Sequence, residues 1–90
     1  GIEQRAVANQ PLLLLELEAG GRGKQHDHSE ENEEEVYFLM EGEIEVEVGD
    51  GERISLEPDE AMYMTPDQQR QIHNTGDERA KIVIVQSVMD

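Results

Sequence analysis

The alternation of hydrophobic and polar positions is the main structural signal in this chain. Residues 43–48 alternate a glutamate with an aliphatic residue three times, a pattern that separates the two faces of a β-strand. A tight turn follows at residues 49–51, where two glycines flank an aspartate, and residues 53–57 form the return strand. The pattern therefore predicts a β-hairpin, and its inward-facing side chains are Ile44, Val46, Val48, Ile54 and Leu56.

The rest of the chain also divides into short strands separated by glycine or proline turns. The predicted strands lie in residues 12–18, 35–40, 61–64, 72–74 and 80–86. No segment has a sustained helical periodicity. Seven or eight short strands at spacings of roughly eight to twelve residues predict an all-β fold, and we favour a jelly-roll β-barrel or sandwich with little or no helix.

The predicted domain organisation is simple. Residues 1–11 are mixed and polar, and we expect an N-terminal arm that lies against a partner, while residues 12–90 form a single β-barrel domain. A chain of 90 residues with only three aromatic side chains has to build an aliphatic and methionine-filled core. Because a second chain would complete so small a core, we expect a homodimer.

The charge of the chain excludes some classes of partner. There are 22 acidic residues and 7 basic ones, for a net charge of -15, which repels nucleic acid and anionic membrane surfaces. The acidic surface fits either a protein of high-salt habitats or an ordinary acidic protein. Cysteine is absent, no secretory signal is visible and the longest apolar run has four residues, so we expect a cytoplasmic protein.

The candidate chemistry lies in residues 20–42. His26 and His28 are one residue apart, and residues two apart on a strand project their side chains to the same side. Imidazoles bind divalent transition metals, and a glutamate would complete a set of two histidines and one carboxylate with open positions for a substrate. The dipeptide spacing by itself is more typical of two solvated histidines in a charged loop.

The spacing of the whole segment resembles the first motif of the cupin superfamily. That motif has a glycine, an His-x-His pair, a glutamate and a second glycine, which here are Gly20, His26, His28, Glu35 and Gly42. The resemblance implies a small jelly-roll barrel with a metal inside it. It also implies His26, His28 and Glu35 as ligands of a divalent transition metal such as Fe, Mn, Ni or Zn.

The glutamate of this motif has two candidates. Glu33 preserves the usual distance to His28, whereas Glu35 preserves the usual distance to Gly42. We favour Glu35, because the strand before Gly42 cannot shift by one residue without moving every side chain to the other face. The loop after His28 can absorb extra residues instead.

The second cupin motif resembles residues 59–74 less closely. Asp59, Thr65 and Asp67 stand where the family has glycine, proline and glycine, and Asn74 matches. Arg70 occupies the position of the third metal-binding histidine. Arginine has no lone pair to donate and cannot bind a cation, so the metal is either held by three ligands or absent.

Two roles are open for Arg70. It could bind a carboxylate or phosphate group of a substrate with two parallel hydrogen bonds, or it could pair with Glu35 in a pocket that has lost its metal. His73 is the nearest replacement ligand, but it is three residues away and would face outward unless the strand has a bulge. Tyr37 and Tyr63 either line the mouth of the cavity or are packed with their hydroxyls hydrogen-bonded. Met62 and Met64 are either core residues or ligand contacts.

The resemblance implies two functions. The first is a metal-dependent enzyme, of the dioxygenase or isomerase kind, that acts on a small anionic molecule with Arg70 and Tyr37 contacting the substrate. The alternative is a non-catalytic module that binds a small molecule or a metal through a degenerate metal site. The family fold does not decide between these two functions.

Overall fold

The structure is a computed structural model, and it describes residues 2–6, 12–23 and 33–88. These ranges contain strands and no helix, so the all-β prediction is confirmed. No helix in these ranges is long and apolar enough to cross a membrane. The strands are β1 (Ile2–Ala6), β2 (Leu12–Leu17), β3 (Glu33–Glu41), β4 (Ile44–Val48), β5 (Glu52–Leu56), β6 (Ala61–Met64), β7 (Arg70–Asn74) and β8 (Ala80–Val88).

The strands form two antiparallel sheets. The first sheet has the order β1-β2-β8-β3-β6, and the second has the order β5-β4-β7. The inner faces of the two sheets supply the core, which is almost entirely aliphatic. The buried hydrophobic residues are Leu15, Leu17, Tyr37, Leu39, Ile44, Val46, Val48, Leu56, Met64, Ile72, Ala80, Ile82 and Ile84.

The predicted hairpin is present as β4 and β5, and its inward residues on β4 are buried. Ile54 differs from the prediction, because it lies opposite the buried Val46 but is 36% exposed. Ile54 is exposed because β5 is the edge strand of the three-stranded sheet, where the other sheet does not cover this side chain. Only Leu56 of β5 is buried.

The N-terminal segment contains a strand that the sequence did not predict. Its residues 2–6 form β1, which pairs with β2 of the same chain at the edge of the five-stranded sheet. The side-chain alternation here is too weak to indicate a strand from sequence. Pairing depends instead on the free backbone N–H and C=O groups of β2, which β1 satisfies.

Two positions of the predicted cupin motifs adopt left-handed backbone conformations. Gly42, between β3 and β4, has a φ of 96°, and a Cβ atom placed there would lie 2.9 Å from the Cα atom of Ala80. Asp59 has a φ of 73° at the position where the family has glycine. Aspartate tolerates this conformation better than most residues do, which explains how it replaces glycine at this turn.

Candidate functional site

The site centres on Glu35 and Arg70, which come from different sheets. On β3 every second residue is buried, which turns Glu35 inward in the same row as Tyr37. The same alternation on β7 turns Arg70 inward. Glu35 is 2% exposed and Arg70 is 1% exposed, so two opposite charges lie in the interior between the sheets.

Arg70 and Glu35 form a close ion pair. Nη2 of Arg70 lies 2.8 Å from Oε1 of Glu35, and Nε donates a hydrogen bond of 3.1 Å to the same oxygen. Nη1 donates to the backbone carbonyl of Thr65 at 3.1 Å and also to that of Gln68. A guanidinium group has five N–H groups, and these contacts use four of them within the chain.

The carboxylate of Glu35 has further partners. The hydroxyl of Tyr37 donates to Oε1 at 3.3 Å, and the side-chain amide of Gln86 donates to Oε2 at 2.8 Å. Burial of Tyr37, reinforced by the negative charge of Glu35, raises the pKa of the phenol well above its ordinary range. Both oxygens of the carboxylate therefore accept hydrogen bonds from side chains of the barrel.

The described residues on either side of the segment with the two histidines contact β7 or form β3. Arg22 forms an antiparallel bridge with His73, and the backbone N–H of Gly23 donates to the carbonyl of Ile72 at 2.8 Å. Residues 24–32 follow, and the chain then enters β3. Gly23 thus adjoins β7, the strand that carries Arg70, and the residues after the segment form β3, the strand that carries Glu35.

The fold and the motif spacing agree with one family. The sequence model of the cupin domain matches residues 13–86, which is most of the chain. The chain belongs to the cupin family. This match and the two-sheet architecture confirm the resemblance on which the predicted site was based.

Solved structures of other cupin-like proteins have the same fold. TT1209 from Thermus thermophilus is 27% identical with a TM-score of 0.83, over 97% of this chain and 83% of that one. KdgF from Halomonas sp. is 22% identical with a TM-score of 0.82, over 100% of this cupin and 81% of KdgF.

A third structure is a sugar phosphate isomerase of the cupin superfamily from Silicibacter pomeroyi, 21% identical with a TM-score of 0.73. The alignment covers 87% of this cupin but only 50% of that chain. At such identities the similarity to these structures shows the fold. A comparison with curated proteins gives no match.

The metal site expected for a cupin is only partly within the described residues. His26 and His28 lie outside them, so their role as ligands stays a prediction. Within residues 12–23 and 33–88, no group of three or more histidine, cysteine, aspartate or glutamate side chains could hold a metal. A divalent cation bound to Glu35 would also lie beside the Arg70 guanidinium, and the two positive charges would repel each other. The described half of the site thus fits an ion pair better than a metal.

The two glutamate candidates share one face of β3. Glu33 is half-buried at the start of the strand, and Glu35, two residues further along the strand, is buried. Both face the same side because they are two residues apart. Only for Glu35 does the structure describe contact with Arg70.

His73 lies on the outer face of β7. Its Nε2 atom is 2.9 Å from Oε1 of Glu47 on the neighbouring β4. The register between β4 and β7 is continuous from Arg70 to Asn74, so β7 has no bulge that would turn the histidine inward. His73 therefore does not share a face with Glu35.

The remaining predicted site residues divide between core and surface. Met64 is fully buried in the core, and Met62 packs against the core from a partly buried position. Tyr37 is completely buried and does not line an open mouth. Tyr63 is exposed, and its hydroxyl donates to Glu34.

Sequence reasoning missed two contributors to the site. Gln86, near the end of β8, has no role in the sequence prediction, yet it donates to Glu35. Asn74 matches the family pattern without a predicted role, and its side-chain nitrogen donates to the carbonyls of Leu17, Glu18 and Glu78. It therefore joins the end of β2 to the turn before β8. Only the pattern match at Asn74 offered a signal in the sequence.

Proposed function

We propose that this cupin is a non-catalytic module that binds a small molecule in the barrel, with the Glu35–Arg70 pair in place of a metal centre. The observation that supports the proposal is the pair itself. Arg70 has the position of a metal-binding histidine, and its Nη2 is 2.8 Å from the glutamate that would otherwise hold the metal. Arginine is always protonated and cannot bind a metal ion in place of the histidine.

The contacts of Arg70 also bear on the charge of the small molecule. Because four N–H groups already donate to Glu35, Thr65 and Gln68, at most one remains for a ligand. A bidentate contact to a carboxylate or phosphate would require Arg70 to give up at least one of these four hydrogen bonds. The pair is neutral as a unit and lies among Tyr37 and aliphatic core residues. We infer that the ligand is an uncharged small molecule and not the anionic molecule that the sequence suggested.

The second candidate is a metal-dependent enzyme with His26, His28 and Glu35 as metal ligands. The positions of Gly23 and β3 favour it, because Gly23 adjoins β7, which carries Arg70, and β3, which carries Glu35, begins only ten residues later. A metal bound there would supply a Lewis acid or redox centre to a small molecule. This candidate places the metal beside the Arg70 guanidinium, which pairs with Oε1 of Glu35.

Metal analysis of the full chain, purified without a chelator, separates the two candidates. The proposal predicts far less than one metal ion per chain. It also predicts no change in melting temperature when Fe²⁺, Mn²⁺, Ni²⁺ or Zn²⁺ is added. Stoichiometric metal in the purified protein, or a clear rise in melting temperature with one of these ions, would contradict the proposal and support the enzyme.

Two variants at position 70 test whether the pair replaces the metal. Arg70→His and Arg70→Met both release Glu35, but only histidine can bind a cation. We expect Arg70→His to gain affinity for Zn²⁺ or Ni²⁺ by at least about 10-fold and Arg70→Met to gain much less. Equal affinities in the two variants would mean that position 70 does not face a metal-binding cavity.

An anion titration tests the predicted ligand charge. Inorganic phosphate and acetate should raise the melting temperature no more than sodium chloride of the same ionic strength does. A saturable rise specific to either anion, absent in Arg70→Met, would show that Arg70 serves as an anion clamp.

A further inference from the structure

The turn between β4 and β5 contains a reactive dipeptide that occurs once in the chain. Asp50 is followed by Gly51, and no other aspartate or asparagine in the sequence precedes a glycine. In an Asp–Gly pair the backbone nitrogen of the glycine can attack the side-chain carboxyl group of the aspartate, because no Cβ atom on the glycine hinders the approach. Whether this attack occurs in a folded protein depends on how freely the turn can move.

The side chain of Asp50 is accessible and unbound in the turn. Residues 49–51 are all exposed at the end of the hairpin. Within the residues that the structure describes, no group donates a hydrogen bond to the Asp50 carboxylate or forms an ion pair with it. The carboxyl group can therefore rotate toward its own backbone, as aspartate side chains in turns readily do.

The attacking nitrogen of Gly51 is held only weakly. Its N–H donates to the carbonyl of Val48 at 3.3 Å, which is longer than a usual N–H···O hydrogen bond. No heavy atom lies within 4 Å of the position that a Cβ atom would take on Gly51. In addition, β5 is an edge strand that pairs only with β4, so the turn can change shape without disrupting a second pair of strands.

We propose that Asp50 is a modification site at which the chain isomerises to isoaspartate. The Gly51 nitrogen forms a bond to Cγ of the protonated Asp50 carboxyl group, whose hydroxyl leaves with the amide proton as one water molecule. The resulting cyclic imide then takes up one water molecule. Addition at Cγ restores aspartate, whereas addition at the backbone carbonyl carbon makes the main chain run through Cβ and Cγ. The composition of the chain is unchanged.

The modification acts next to the strand that carries Arg70. The N–H of Gly49 donates to the carbonyl of Gln69 at 3.0 Å, and Val48 lies opposite Arg70 in the register of β4 and β7. Isoaspartate adds one backbone atom directly after these contacts, between Val48 and its partner Glu52 on β5. Because the length of a hairpin loop sets its turn type and register, the hairpin no longer closes in the same way. Isomerisation should therefore destabilise the barrel.

Storage of the full chain in warm, neutral buffer made with heavy-oxygen water tests the proposal. Each opening of the imide incorporates one heavy oxygen, and peptide mapping after treatment with an isoaspartyl methyltransferase locates the isoaspartate. Asp77 is the internal control, because it is also exposed but precedes a glutamate. We expect isoaspartate to form at least about 10-fold faster at Asp50 than at Asp77, which corresponds to a barrier lower by about 1.4 kcal/mol.

Two variants test the mechanism, and far-UV circular dichroism before storage checks that both keep the β-fold. Asp50→Glu keeps the charge but moves the carboxyl group one methylene further from the backbone, so the heavy-oxygen label at position 50 should be lost. Asp50→Asn releases ammonia instead of water and should react faster, giving a mixture of aspartate and isoaspartate.

Melting temperatures measured after storage test the effect on the barrel. The melting temperature of the wild-type chain should fall as isoaspartate accumulates, whereas that of Asp50→Glu should not change. Absence of isoaspartate at Asp50 in the stored wild-type chain, equal formation at Asp50 and Asp77, or equal labelling of position 50 in Asp50→Glu would overturn the proposal. An isomerised chain with an unchanged melting temperature would contradict the change in the hairpin.

Discussion

Replacing Arg70 by methionine should strongly destabilise the barrel, because the substitution removes the guanidinium that lies 2.8 Å from the buried Glu35 carboxylate. Methionine keeps much of the length of the side chain but removes the donors at 2.8 and 3.1 Å from Oε1 of Glu35. It also leaves the carbonyls of Thr65 and Gln68 without the Nη1 donor. Tyr37 and Gln86 still donate to Glu35, but neither carries a positive charge.

The expected magnitude follows from the burial of both partners. Removing one member of a buried ion pair costs about 3 to 5 kcal/mol, out of the roughly 5 to 15 kcal/mol that stabilises a typical domain. At about 4 to 8 °C per kcal/mol for a chain of this size, the melting temperature should fall by at least about 12 °C. Glu35→Gln should also destabilise, since it leaves the guanidinium facing a neutral amide.

The double variant Glu35→Gln/Arg70→Met measures the coupling between the two side chains. Since it leaves no unpaired charge inside, its loss of stability should be smaller than the sum of the single losses by about 2 to 3 kcal/mol. Urea unfolding followed by far-UV circular dichroism measures these free energies, which suits a chain without tryptophan.

A surface pair provides the matched control. Arg53 and Glu45 are 3.0 Å apart, but their side chains are 45% and 31% exposed. The corresponding cycle, with Arg53→Met and Glu45→Gln, should give a coupling of only about 0.2 to 1 kcal/mol that shrinks in high salt. The buried coupling should persist in salt. If the losses at positions 35 and 70 add within about 0.5 kcal/mol, the buried pair is not formed in solution.

Two further outcomes follow from single positions. Because burial and the charge of Glu35 raise the pKa of Tyr37, the folded state resists forming the phenolate. Its stabilising contribution is complete below the ordinary pKa of about 10 and should fall by about 1.4 kcal/mol per pH unit above it. Tyr37→Phe should make urea unfolding less sensitive to pH in this alkaline range, and an unchanged slope would mean that the phenol is solvated. Gly42→Ala should lower the free energy of unfolding by about 3 kcal/mol or more, because the new Cβ would overlap Ala80 and the residue has a positive φ. Gly49→Ala also has a positive φ but no atom near the new Cβ, so it should cost only about 1 to 2 kcal/mol. Equal losses in thermal unfolding would contradict the predicted overlap at Gly42.

Most strands were predictable because alternation is a local property of the chain. The hairpin of β4 and β5 follows from glutamates and aliphatic residues in strict order, and residues 61–64 form β6 as predicted. The exposure of Ile54 was not predictable, because it depends on β5 lying at a sheet edge. The strand at residues 2–6 was missed for a similar reason, since it depends on the open edge of β2.

The partners of the candidate site were only partly predictable. Sequence spacing identified Glu35 and Arg70 and offered their pairing as one of two roles for the arginine. It could not identify Gln86, which lies 51 residues from Glu35 and reaches it because β8 pairs with β3. Neither could it find the bonds of Asn74 to the end of β2, which require the two sheets to meet.

The sequence by itself determined the alternating strands, the cupin motif spacing and the presence of an arginine at position 70, because each depends on residue types at fixed separations. Only the tertiary structure decided that the two buried charges pair with each other. Arg70 and Glu35 are 35 residues apart and meet because the two sheets face each other. Tertiary structure likewise decided which side of β8 is covered. Ile82 and Ile84 lie on one side of this strand and Val83 and Val85 on the other, so alternation alone cannot distinguish the inward side from the outward side.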